Sequence, residues 1–134
     1  MKRLIALSAG ALMIAGTATA AGEIMTSIPP SSLTVTDWYK QSVYDPNNNK
    51  VGEIMDVLVS SDGKVNALIV GVGGFLGAGE KDVAVNFTAV KKTMKNDKIY
   101  LTMSTTKDAL KSAPGFRYDS NQTTWVPDTS KATQ

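Results

Sequence analysis

The sequence predicts an all-β domain beginning near Leu33. Short apolar runs of strand length recur from Leu33 to Met103, separated by residues that favour turns. An Asp62-Gly63 pair stands between two of these runs, and glycine accepts the positive φ that a tight hairpin needs. A glycine-rich run from Gly71 to Gly79 then leads into a further apolar strand, Val83 to Phe87.

Taken in order, residues 21–34 mix Gly, Ser and Thr with Pro29 and Pro30 and read as a flexible lead-in. The first clear strand surrounds Ser42-Val43-Tyr44 and ends at Asp45-Pro46-Asn47-Asn48-Asn49, where Asx side chains favour turn hydrogen bonds. Val51 to Val59 follows with apolar residues on both faces: Val51, Met55, Val57 and Val59 on one, Ile54 and Leu58 on the other. The returning strand, Val65 to Val72, has the same character, so the two are expected to pair antiparallel at the centre of a sheet. A weaker strand near Ala89 to Met94 and a clear one from Lys98 to Met103 flank the turn Lys95-Asn96-Asp97. Thr106 to Lys111 reads as one or two helical turns with Thr106 as N-cap, stopped before Pro114. Residues 35–116 form the expected domain, and 117–134 read as a polar, loosely held tail on which Tyr118 and Trp125 could dock.

Residues 1–20 have the three parts of a secretory leader. Met1-Lys2-Arg3 is positive, Leu4 to Ala15 is apolar, and Ala18-Thr19-Ala20 offers small residues for cleavage. The apolar run falls short of the roughly 20 residues a spanning helix needs, and no cysteine follows the cleavage site to carry a lipid. The expectation is a periplasmic chain starting at Ala21 or Gly22 with no stable membrane insertion. Without Lys2 and Arg3 the 14 basic residues become 12, equal to the 12 acidic ones. Nucleic acid and anionic membranes are therefore poor partners, since the long-range attraction that drives both is missing. No run of the sequence resembles a basic patch with interleaved aromatics. Cysteine and histidine are both absent, which excludes a thiolate nucleophile, a Ser-His-Asp triad and a Cys/His metal site.

The glycine run invites comparison with a phosphate-binding loop. Gly74 and Gly79 have Walker A separation, but Glu80 stands where the lysine belongs, and a strand rather than a helix follows. Calcium is a second reading: Asp45, Asn47, Asn49, Glu53 and Asp56 fall at EF-hand-like spacings, yet Lys50 replaces the turn glycine and Asp closes the series in place of Glu. No cofactor or metal is expected. Paired carboxylates for acid-base work could come from Glu53, Asp56, Glu80 and Asp82, although salt bridges and solvated strand ends also account for such residues.

Val43-Tyr44-Asp45, Val51-Gly52-Glu53-Ile54, Asp56-Val57-Leu58-Val59, Asp62-Gly63-Lys64 and the run Gly71 to Val85 resemble the PRC-barrel family over about residues 35 to 116. That family includes the cytoplasmic domain of the photosynthetic reaction centre H subunit and a domain of a ribosome maturation factor. The run Gly71 to Val85 looks like its exported, stand-alone alphaproteobacterial branch. Asn86 departs from the family pattern, which commonly has proline before Phe87. The resemblance implies a small, partly open barrel of about six strands that serves as an assembly or adaptor module, without a common catalytic set.

The function these observations favour is a non-enzymatic, periplasmic protein-binding module whose partner is another protein or a second copy of itself. A small-ligand or calcium-binding module and a carboxylate-based enzyme are the alternatives. Candidate contact residues are Leu76, Phe75 and Trp38, with Phe75 expected as a core plug and Leu76 as the more exposed of the pair.

Overall fold

The computed structural model describes residues 23–73 and 80–129. Two compact units divide the chain, Met1–Ser32 and Leu33–Gln134. In the first, residues 23–32 are irregular, and the Ser32 amide donates to the Pro29 carbonyl across a tight turn.

Among its described residues the second unit has eight strands, in one sheet that does not close. A 3-10 turn, η1 (Val35–Asp37), is capped by the Thr34 hydroxyl, which accepts from the Asp37 amide at 3.3 Å. The strands are β1 (Ser42–Tyr44), β2 (Lys50–Val59), β3 (Val65–Val72), β4 (Lys81–Asn86), β5 (Lys91–Lys95), β6 (Lys98–Thr102), β7 (Phe116–Asp119) and β8 (Thr124–Pro127). A second 3-10 turn, η2 (Phe87–Ala89), joins β4 to β5, and a helix, α1 (Lys107–Lys111), follows β6. The spatial order is β5-β6-β1-β2-β3-β4-β7-β8. All pairings are antiparallel except that of β1 with β6.

The expected central hairpin is present. Gly63 has φ +87° in the turn between β2 and β3, where the Ser60 amide donates to the Lys64 carbonyl. On β3, Leu68 and Val70 face the core while Ile69, one residue out of phase, is also fully buried on the opposite face. The expected faces of β2, however, are corrected by two bulges. Val51 has no partner on β1, and Met55 has none on β3, so each shifts the alternation by one residue. Val51, Ile54 and Val57 consequently all reach the core, and Val59 ends 58% exposed.

The core collects Trp38, Val43, Val51, Ile54, Leu68 and Val70 with Val83, Leu101 and Leu110. Thr106 caps α1 as expected, accepting from the Ala109 amide at 3.0 Å. Asn86 ends β4 at φ −63° and ψ 141°, angles that proline would itself adopt, so its substitution for proline leaves the strand end unchanged.

Within the segment expected as a loose tail, the described residues 117–129 carry most of β7 and all of β8, which raises the strand count among the described residues from the expected six or so to eight. Their hairpin adjoins β4 through the pair Asp82 and Phe116. The Trp125 indole N–H donates to Asp56 Oδ2 at 2.7 Å, beside Ile69 on the second face of the sheet.

Three turn aspartates give stability a pH dependence. The Asp45 carboxyl is held below the ordinary carboxylate range chiefly by the Asn49 backbone N–H, Asp62 by the Ser60 hydroxyl, and Asp119 by the Asn121 backbone N–H. Each folded-state value lies below its unfolded one. Their contribution is therefore complete above about pH 4 and is lost as pH falls through the folded values. The denaturant midpoint should drop between pH 6 and pH 2.5, and drop less in a variant with all three changed to Asn. Equal losses in parent and variant would refute this origin.

Candidate functional site

An apolar groove of about 390 Å³ opens where η1, η2 and the hairpin end of β2 and β3 meet. Trp38 and Phe87 form its inner side, with ring centroids 5.1 Å apart and planes inclined at 43°. Val57 adds a β2 side chain to the same lining. Leu33 (58% exposed), Val35 (55%) and Val65 (37%) line it while remaining open to solvent. Lys64 supplies the one charge among its described lining residues.

Local structure fixes this arrangement. The Thr34 cap sets the turn that carries Val35 and Trp38. Lys92 on β5 then ties that turn down: its Nζ lies 2.7 Å from Asp37 Oδ2 and 5.2 Å from the centroid of the Trp38 ring. The hydrogen bond from Lys92 is the main reason the Asp37 carboxyl is held below its usual range. The Trp38 indole N–H is buried and has no acceptor among the described residues, an uncommon state for a buried donor. Such a lining can hold apolar groups out of water, at roughly 25 cal/mol for each Å² buried, and its polar members are Lys64 and Thr34, whose hydroxyl is engaged in capping η1.

Of the candidate contact residues, Trp38 is 4% exposed and belongs to the core, so it lines the groove from the inside. Phe75 and Leu76 lie outside the described residues. The base of their loop borders a second cleft, of about 400 Å³, that includes Glu53 and Glu80 together with Lys50 and Lys107. Lys50 and Glu53 pair there at 3.8 Å, both about half exposed, and Gly73 at the loop's start has φ +77°.

The four acidic residues considered for acid-base work are thus divided. Glu53 and Glu80 share the second cleft and Asp82 on β4 lies beside Gly71 at its edge, whereas Asp56 accepts from the Trp125 indole and from the Val57 amide. Nor do the calcium-like positions converge. Asp45 Oδ1 accepts from the Asn47 and Asn49 amides at 2.8 and 2.9 Å, and its Oδ2 accepts from the Asn49 side chain. Asp56, at the other end of that spacing, lies on the β2 face engaged by Trp125. No group of three or more acidic residues able to hold a metal occurs among the described residues.

A family model for the PRC-barrel domain matches residues 31–110. The chain belongs to the PRC-barrel family. The match takes in the whole groove, β1 to β6 and most of α1, and leaves the β7–β8 hairpin as an addition beyond the shared PRC-barrel core. PRC-barrel domains are in general non-catalytic modules. No curated protein matches the chain. Sequence reasoning selected Trp38 but missed its groove partners. Leu33, Val35, Val65 and Phe87 are each ordinary in their own segments, and only the fold brings them together.

Proposed function

We propose that this PRC-barrel protein is a non-enzymatic, periplasmic binding module that takes an apolar segment of another protein into the groove between η1, η2 and the β2–β3 hairpin. The observation that supports this reading is the exposure of Leu33, Val35 and Val65 together over a Trp38–Phe87 wall. Scattered exposed apolar residues are common on any surface, but a contiguous apolar concavity is a feature of binding sites. Lys64 at the groove favours a partner segment that carries a carboxylate beside its apolar side chains. The leader-like pattern of residues 1–20 supports export.

A photo-crosslinking residue at Val35, expressed in the native host, should join the protein to a discrete partner recovered from the periplasmic fraction. The adduct should contain a chain starting at Ala21 or Gly22 and should vanish when Val65→Asp is added. The same adducts from a crosslinker at Lys107 would refute the groove as the contact. Adducts confined to the cytoplasm would refute the location.

A further inference from the structure

Along β1 and the β5–β6 hairpin, the fold assembles a basic aromatic cleft that no single stretch of sequence contains. Its volume is about 370 Å³, and Lys40, Lys95 and Lys98 line it with Tyr44, Tyr100 and Asn96. The two tyrosine rings stack, with centroids 4.8 Å apart and planes 16° from parallel. Lys95 Nζ lies 4.6 Å from the Tyr100 centroid, and both Lys95 and the Tyr100 hydroxyl donate to Asn48 Oδ1. None of the three lysines is ion-paired among the described residues, whereas Lys50, Lys92 and Arg117 all are. Asp45 next to Tyr44, Asp97 in the β5–β6 turn and Asp37, which pairs with Lys92, are the nearby acidic residues in sequence; none of them lines the cleft, whose lining carries three positive charges.

Lysines on an outer strand commonly serve to discourage edge-to-edge association, and β5 is an outer strand. That explanation covers Lys91 and Lys95. It does not cover Lys40, which precedes β1, or Lys98, which opens β6 inside the sheet. Lys40 also has φ +67°, in a turn closed by the Gln41 amide donating to the Trp38 carbonyl at 3.0 Å. A side chain with a Cβ is disfavoured at such a position, which glycine would fill without strain. Residues kept in unfavourable backbone regions gather at functional sites.

We infer that this cleft is a binding site for a small polyvalent oxyanion, one bearing at least two phosphate or carboxylate groups held by Lys40, Lys95 and Lys98. Ammonium groups act as point charges and accept either oxyanion, and no arginine fork is present to select planar geometry. Asn96 and the Tyr44 hydroxyl add hydrogen-bonding groups at the same place, while the Tyr100 hydroxyl is engaged by Asn48.

The test is a titration of the protein with tripolyphosphate and, separately, with citrate at low ionic strength, followed by backbone amide chemical shifts. At least one of the two should give saturable shifts centred on Gln41, Ser42, Asn96 and Lys98. Binding should weaken roughly five- to tenfold or more in Lys40→Gly and in Lys98→Gln. It should be unchanged in Lys111→Gln, and the Lys40→Gly melting temperature should equal or exceed the parent's. The inference is overturned if neither anion gives saturable shifts, if shifts at Lys111 are as large as those in the cleft, or if both cleft variants bind like the parent.

Discussion

Leu68→Ala should lower unfolding stability by about 2 to 5 kcal/mol. Leu68 has no solvent exposure and lies on the core face of β3 between Val57 of β2 and Val85 of β4. Neighbours on both sides are fixed by backbone pairing, so the sheet cannot collapse into the space that the lost side chain leaves. Domains of this size are stable by only about 5 to 15 kcal/mol, and the loss is therefore a large fraction of the total. Equilibrium denaturation with an unchanged m-value measures it. A loss below about 1 kcal/mol would show that this side chain does not anchor the core.

Gly52→Ala should be nearly as damaging, by about 1 to 3 kcal/mol, for the opposite reason. An added Cβ would lie 2.6 Å from Val70 Cγ1 and 2.8 Å from the Gly71 carbonyl oxygen. The second of these atoms is backbone in the middle of the sheet and cannot swing aside. Gly115→Ala is the control, because its Cβ would come no closer than 3.3 Å to a side-chain carbon, Lys81 Cγ, which needs to give by only a few tenths of an ångström. Its effect should stay within about 0.5 kcal/mol. If Gly52→Ala melts like Gly115→Ala, the close approach of β2 and β3 is looser than these distances imply.

The sequence revealed the parts of the fold that local chemistry determines. Asp62-Gly63 marked the central hairpin because few residues tolerate its turn, and Thr106 marked the start of α1 because its hydroxyl can cap it. The bulges at Val51 and Met55 were not legible. A period-two reading assumes continuous pairing, while an unpaired residue is chosen by the neighbouring strands. The β7–β8 hairpin was masked by its polarity, although Phe116 and Tyr118 before a polar turn, with Trp125 and Val126 after it, were a usable strand signal. Neither cleft could be found from local patterns. Trp38 meets Phe87, and Tyr44 meets Tyr100, only because distant strands share one sheet.

The parallel pairing of β1 with β6 also governs the order in which the domain can assemble. Val43 lies beside Leu101, with β2 to β5 all intervening in the chain. The β2–β3 and β5–β6 hairpins join neighbouring segments and close over short loops, at little entropic expense. The β1–β6 contact must close a much longer loop and gains from it only once those hairpins are in place. Among the strand pairings of the described residues, that of β1 with β6 spans the longest stretch of chain, so its closure carries the largest loop-entropy cost in the sheet.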